Sequence, residues 1–95
     1  MEFLVNTQLT RPASVTDAEA AALLAAERVR AAELMAEGTL KRLWRVPGKW
    51  GSWALYEAPD ATAFHAAITS LPLFGWMTVE VHPLARHPFD ERPSG

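Results

Sequence analysis

The sequence predicts an α+β fold of element order β-α-β-β-α-β, a ferredoxin-like sandwich with both helices on one face of a four-stranded antiparallel sheet. Three observations carry that expectation. A long alanine-rich stretch with helical periodicity runs from a capping signal at Thr16 to Gly38. A shorter helical pattern lies between Pro59-Asp60 and Pro72. Four β-prone stretches, each followed by a proline, surround these two helices in the order one, two, one.

The first strand is expected over 2–9, where Glu-Phe-Leu-Val-Asn-Thr-Gln-Leu is short and β-prone and stops before Arg11-Pro12. Helix 1 follows. Thr16 suits the N-cap, Glu19 three residues on completes a capping box, and Asp17 and Glu19 favour the positive end of the helix dipole. The run reaches Glu37, and Gly38 is the expected glycine beyond the C-cap. From Thr39 to Val46, alternation places Leu40, Arg42, Trp44 and Val46 on one face and Lys41, Leu43 and Arg45 on the other. Pro47-Gly48 marks a turn, and Gly51 to Glu57 reads as the returning strand. Helix 2 spans about 60–71, with Ala61, Phe64, Ile68 and Leu71 at helical spacing and Pro72 as its stop. A last strand is expected over Met77–His82, ending before Pro83. The tail from 86 to 95 looks irregular and suits draping over a neighbour.

Ninety-five residues suggest one domain, 1–95, near the small end of what a single core supports. Four Trp and four Phe supply that core and leave apolar material over, as does the second face of the sheet. A second subunit is the usual cover, giving a dimeric α/β-barrel type of homo-oligomer. A formal net charge of −2 with scattered basic residues argues against nucleic-acid binding. The absence of cysteine removes thiol nucleophiles, disulfides and thiolate metal sites. No signal-peptide pattern and no run of 18 apolar residues is visible, so a cytoplasmic protein without a membrane span is expected.

One residue does not fit its surroundings. At 100° per residue from Leu23, the positions Leu34, Ala20, Ala31, Leu24 and Met35 fall in an arc of roughly 120°, and Glu27 lies inside it at about 40°. Glu19, Glu33 and Glu37 project to the opposite side with Arg30. A carboxylate facing a core is paired, is neutralised or borders a cavity, and the last case makes a desolvated, stronger base. Glu27 is therefore the first catalytic candidate; the plain alternative is an ion pair with Arg42, Arg45 or Lys49. A second candidate region is Lys49-Trp50-Gly51-Ser52-Trp53. Glycines at 48 and 51 allow close backbone approach, Lys49 supplies a cation, and Ser52 supplies a hydroxyl suited to a carboxylate or lactone carbonyl. An ordinary turn with tryptophans at its edges competes with that reading. His65 on helix 2 is more simply a packing or interface residue, and His82 and His87 are surface candidates. No metal-ligand spacing, G-x-S-x-G elbow, P-loop or dinucleotide fingerprint occurs, so neither a metal nor another cofactor is expected.

Three stretches together resemble the muconolactone isomerase family. They are the Glu27 helix ending in Glu37-Gly38-Thr39, then Leu43-Trp44-Arg45-Val46-Pro47-Gly48 with an aromatic at Trp50, and then Leu71-Pro72-Leu73-Phe74. The last continues through Met77 and Val79-Glu80-Val81 to Arg86-His87-Pro88. The similarity is end to end and in register. It implies a ferredoxin-like subunit, dimers assembled into a higher oligomer such as a decamer, and a cofactor-free 1,3-proton shift that turns muconolactone into 3-oxoadipate enol-lactone in catechol breakdown. In that chemistry a proton activated by a carbonyl leaves one carbon and returns to another, so one acid/base of raised pKa serves both steps. The resemblance gives Glu27 that role. Lys49, Arg42 and Arg45 become candidates for the substrate carboxylate, with Ser52, amides near Gly51, Trp50 and His65 as further substrate-binding candidates. The chain departs from the family pattern at Ser52, commonly Asn, and at Gly75-Trp76, commonly Pro and an aromatic.

Two other classes compete. One is an enzyme of different substrate on the same scaffold: a chlorolactone dehalogenase, a secondary-metabolite isomerase or cyclase, or a cofactor-free oxygenase with a flat aromatic in a Trp-rich pocket. The other is a non-catalytic assembly module in which Glu27 is a structural ion-pair partner.

Overall fold

The computed structural model describes residues 1–93. Its elements are β1 (Glu2–Leu9), α1 (Asp17–Ala36), β2 (Leu40–Arg45), β3 (Gly51–Glu57), α2 (Ala61–Thr69), a 3-10 turn (Phe74–Trp76) and β4 (Met77–Leu84). The strands form one antiparallel sheet in the order β2-β3-β1-β4, as the β-α-β-β-α-β arrangement requires.

Local chemistry accounts for the element ends. The capping box forms: Thr16 Oγ1 accepts from Glu19 N at 3.1 Å while Thr16 N donates to Glu19 Oε1 at 3.2 Å. At the other end of α1, Gly38 takes φ +81°. Gly38 N donates to Met35 O at 3.1 Å and Thr39 N to Leu34 O at 2.9 Å, the paired bonds of a Schellman stop. Asp60 caps α2 by accepting from Ala63 N at 2.8 Å. This helix ends at Thr69, short of the expected 71, because Pro72 cannot continue it and the backbone tightens into successive turns before reaching it. Lys49 N donates to Val46 O at 3.1 Å, closing a turn with Pro47 and a positive-φ Gly48 at its centre.

Three expectations need correction. Strand β4 runs through Pro83 to Leu84, because β4 is an edge strand and a missing N–H there removes no ladder bond from a neighbour. Strand β2 does not alternate simply. A bulge between Leu40 and Arg42 pairs Leu40 with Tyr56 but Arg42 with Leu55, so Leu40 shares its face with Leu43 and Arg45, not with Arg42 and Trp44. The displaced Lys41 forms an ion pair with Glu57. Third, α1 buries a narrower stripe than its helical wheel suggests. Ala20 and Leu34 are buried and Leu23, Glu27 and Ala31 half-buried, whereas Leu24 and Met35 stand 52% and 45% exposed. Arg30, expected to point away, is half-buried instead: its Nε donates to Ser70 Oγ at 2.9 Å, which sets a cation at the negative end of α2.

Phe3, Val5, Ala54 and Tyr56 on one sheet face form a common core with Leu34 of α1 and Phe64, Ala67 and Ile68 of α2. Phe64 stacks on Phe3 (centroids 4.4 Å) and meets Tyr56 edge-on (5.3 Å). Both helices thus lie on this face. The opposite face carries half-buried Leu4, Trp53 and Leu55 and exposed Trp44, with His82 beside Trp53 (6.1 Å between ring centroids). Residues 86–93 contain no helix or strand. No helix among the described residues is long and apolar enough to cross a membrane.

Candidate active site

Between α1, the helix-side face of the sheet and the segment after α2 lies a cavity of about 400 Å³, inside the size range of small-molecule sites. Its walls are mostly aliphatic, with Leu24, Ala31, Leu40, Ile68 and Leu71 among them. Its polar lining residues include Glu27, Thr7, Ser52, Tyr56 and Arg45.

Glu27 reaches the cavity because it falls on the half-buried stripe of α1, one turn from Leu23 and one from Ala31. Its Oε1 accepts a hydrogen bond from Leu73 N at 2.9 Å. Pro72 makes that amide available: it stops α2, and the turn that follows leaves the Leu73 N–H aimed at α1 and not at a helical carbonyl. Among the described residues no cation lies within ion-pair distance of Glu27, so the ion pair with Arg42, Arg45 or Lys49 is not formed. Burial pushes the Glu27 carboxyl above its ordinary range, and the Leu73 amide opposes this only in part.

Strand β3 lines the cavity with every second residue: Ser52, Ala54 and Tyr56. The Tyr56 phenol is pushed up to about 12, first by burial and then by the charge of Glu27. Arg45 joins Ser52 in the register of β2 and β3, and its guanidinium lies 6.0 Å from the centre of the Trp50 ring. Thr7 is opposite Ser52 on β1 and is buried.

The fold thus brings Glu27, Arg45, Gly51 and Ser52 to one cavity and leaves Arg42, Lys49, Trp50 and His65 outside its wall. Arg42 projects to the opposite sheet face, where its guanidinium lies 5.5 Å from the Trp44 ring centre. Lys49 and Trp50 sit in the β2–β3 turn, with Trp50 81% exposed. His65 is exposed on α2. Gly51 lines the cavity as well, and packing by itself calls for glycine there: a Cβ would stand 2.7 Å from Thr7 O, so the glycine lets β3 pack against β1. Two groups escaped the sequence reading. The Leu73 amide has no signature of its own, but Tyr56 was readable, since period-two alternation from Ser52 reaches it directly. Among the described residues no three His, Cys, Asp or Glu side chains gather as metal ligands.

Known proteins share the sequence pattern and the fold. The sequence pattern of muconolactone delta-isomerase matches residues 1–90. Muconolactone delta-isomerase of Pseudomonas aeruginosa is 35% identical over 88 residues, covering 93% of this chain and 92% of the relative. The Pseudomonas putida enzyme of the same name is 34% identical over 88 residues, with 93% and 92% covered. The crystal structure of a muconolactone isomerase superposes with a TM-score of 0.89 at 34% identity, over 99% of this chain and 98% of that one. A 5-chloro-2-hydroxyhydroquinone dehydrochlorinase from Burkholderia phenoliruptrix shares the fold at a TM-score of 0.62 and 19% identity, over 96% and 100% of the two chains. With a family match along nearly its whole length and a helix-sheet cavity holding an unpaired half-buried carboxylate, the chain belongs to the muconolactone delta-isomerase family.

Proposed function

We propose that this chain isomerises an unsaturated lactone bearing a carboxymethyl arm, converting muconolactone to 3-oxoadipate enol-lactone by a cofactor-free 1,3-proton transfer. The observation that carries the reading is Glu27: a half-buried carboxylate on a cavity wall, held by one backbone amide and, among the described residues, with no cation within ion-pair distance. Family membership supplies the substrate class.

The chemistry follows from that carboxylate. The lactone carbonyl, conjugated through the ring double bond, acidifies the proton on the γ-carbon. Glu27 removes it, the electron pair spreads into a dienolate, and Glu27 returns the proton to the α-carbon, leaving the double bond between the β- and γ-carbons. One carboxyl serves as base and then as acid, which requires a pKa nearer neutrality than an exposed glutamate has. Its raised pKa supports that requirement. Arg45, exposed at the cavity rim, receives the substrate carboxylate in this reading, and Ser52 offers a hydrogen bond within the same wall. The other candidate cations, Arg42 and Lys49, do not border the cavity of this subunit.

The working form in this reading is a cytoplasmic homo-oligomer built from dimers. What supports assembly is apolar surface with no cover in the described chain: Leu4, Trp53, Leu55 and Trp44 on the outer sheet face, and Leu24, Val29 and Met35 on α1. Ultraviolet absorbance with muconolactone tests the function directly. A chain that leaves muconolactone unchanged, under conditions where the Pseudomonas relatives convert it, overturns the reading.

A further inference from the structure

Tyr56 is the only tyrosine of the chain and one of its most buried residues, at 3% exposed. Its ring is fixed edge-on against Phe64 at 5.3 Å, and its cross-strand neighbours in register are Phe3 of β1 and Leu40 of β2. A buried phenol ordinarily finds a partner for its hydroxyl. Here, among the described residues, the Tyr56 hydroxyl has none. Yet among the described residues no side-chain oxygen or nitrogen sealed from solvent lacks a partner. The two facts together mean that the hydroxyl is not sealed: it opens onto the cavity that Tyr56 lines with Glu27.

We infer that the Tyr56 hydroxyl is a catalytic hydrogen-bond donor, placed to meet the lactone carbonyl oxygen as negative charge develops on it during proton removal by Glu27. The inference rests on the isomerase reading for its substrate and adds the group that stabilises the intermediate. A donor fixed by packing before the substrate arrives needs no reorganisation when charge appears, which is where such groups contribute most. The proton stays on the tyrosine. Glu27 takes the γ-proton, the electron pair reaches the carbonyl oxygen, the phenol donates to that oxygen, and collapse of the dienolate returns the proton from Glu27 to the α-carbon. A phenol that titrates at about 12 remains a donor throughout the neutral range. The remaining polar groups have other positions: Ser52 lies four residues before Tyr56 on the same face of β3, and Arg45 stands beyond it on the edge strand β2.

Tyr56→Phe removes one oxygen and keeps the ring packing, so its test is clean. The expected result is a fall in kcat on muconolactone of about tenfold or more, with KM changed little and the melting temperature preserved. A second measurement does not depend on turnover. A tetronic acid carrying a carboxymethyl arm is a five-membered lactone whose ionised enol shares its charge with the carbonyl, and so imitates the dienolate. Calorimetric titration should show tenfold weaker binding of this compound to Tyr56→Phe, while the saturated lactone with the same arm binds both proteins equally. If the wild type converts muconolactone and the variant does so equally well, the Tyr56 role is overturned and the isomerase reading stands. If the wild type leaves muconolactone unchanged but binding of the tetronate depends on Tyr56, the substrate assignment fails and the donor role stands. A wild-type chain that binds no tetronate overturns the donor role.

Discussion

Glu27 and Leu73 lie 46 residues apart in sequence and are joined by a 2.9 Å hydrogen bond from the Leu73 amide to Glu27 Oε1. The bond ties the middle of α1 to the turn that follows α2, and it fixes one carboxylate oxygen while leaving the cavity side of the group to a substrate. It also explains what the Leu71-Pro72-Leu73 sequence contributes. A proline that ends a helix one turn early presents the next amide to a partner outside the helix.

Glu27→Gln keeps an acceptor for the Leu73 amide and removes only the base. Turnover of muconolactone should fall by about three orders of magnitude or more, with the circular dichroism spectrum and oligomeric state unchanged. Glu27→Ala removes both. The buried Leu73 N–H is then left without an acceptor, and stability should drop by about 1–3 kcal/mol relative to the Gln variant, measured by urea unfolding. Equal stability of the two variants argues against the bond.

The raised carboxyl pKa has consequences of opposite sign for activity and stability. Proton removal needs the ionised form, so kcat/KM should climb with pH along an acidic limb whose midpoint lies above the ordinary glutamate value of 4.5. For stability, a folded-state pKa above the unfolded one means that the native chain holds this proton more tightly. That contribution is complete below the unfolded value and is lost as pH rises through the folded one. The Gln variant should therefore gain on the wild type as pH rises towards neutrality, and the gap should close in acid, as unfolding curves across that range will record.

Arg45 and Arg42 are three residues apart but face opposite sides of the sheet. Arg45→Ala should raise KM for muconolactone by roughly ten- to a hundredfold, as loss of a charge-assisted contact to a carboxylate implies. Arg42→Ala should leave KM within about twofold, since Arg42 does not border the cavity. Steady-state kinetics with the two variants side by side decides this, and a reversed order would move the carboxylate site to the other face.

Gly51 and Gly48 should respond differently to alanine. At Gly51 the new Cβ meets the Thr7 carbonyl at 2.7 Å, a backbone atom that cannot move aside, and a loss of about 1–3 kcal/mol is expected. At Gly48 the space is open and only the positive φ of 77° opposes the change, which costs about 1 kcal/mol. For a domain of this size 1 kcal/mol corresponds to about 4–8 °C, so thermal melts should rank Gly51→Ala clearly below Gly48→Ala.

Element order was legible because it depends on local signals: the Thr16-Glu19 box, the Gly38 stop, the Pro47-Gly48 turn and the Asp60 cap each act over a few residues. Glu27 was legible for the same reason, since helical periodicity alone places it among apolar neighbours. The wheel did not say how wide the buried stripe would be, because that depends on what packs against α1, and Leu24 and Met35 are left exposed while Arg30 is drawn to Ser70.

By itself, then, the sequence determined the order of elements, the anomalous acid on α1 and the family resemblance, all properties of near neighbours or of the chain read in register. Tertiary structure alone decided which polar groups meet. One extra residue in β2 turned Leu43 and Arg45 towards the helices and Arg42 away from them. A proline-terminated helix delivered the Leu73 amide to Glu27 across 46 residues. Sheet pairing set Tyr56 in the wall that Glu27 faces. These are consequences of register and long-range contact, which no local window of sequence contains.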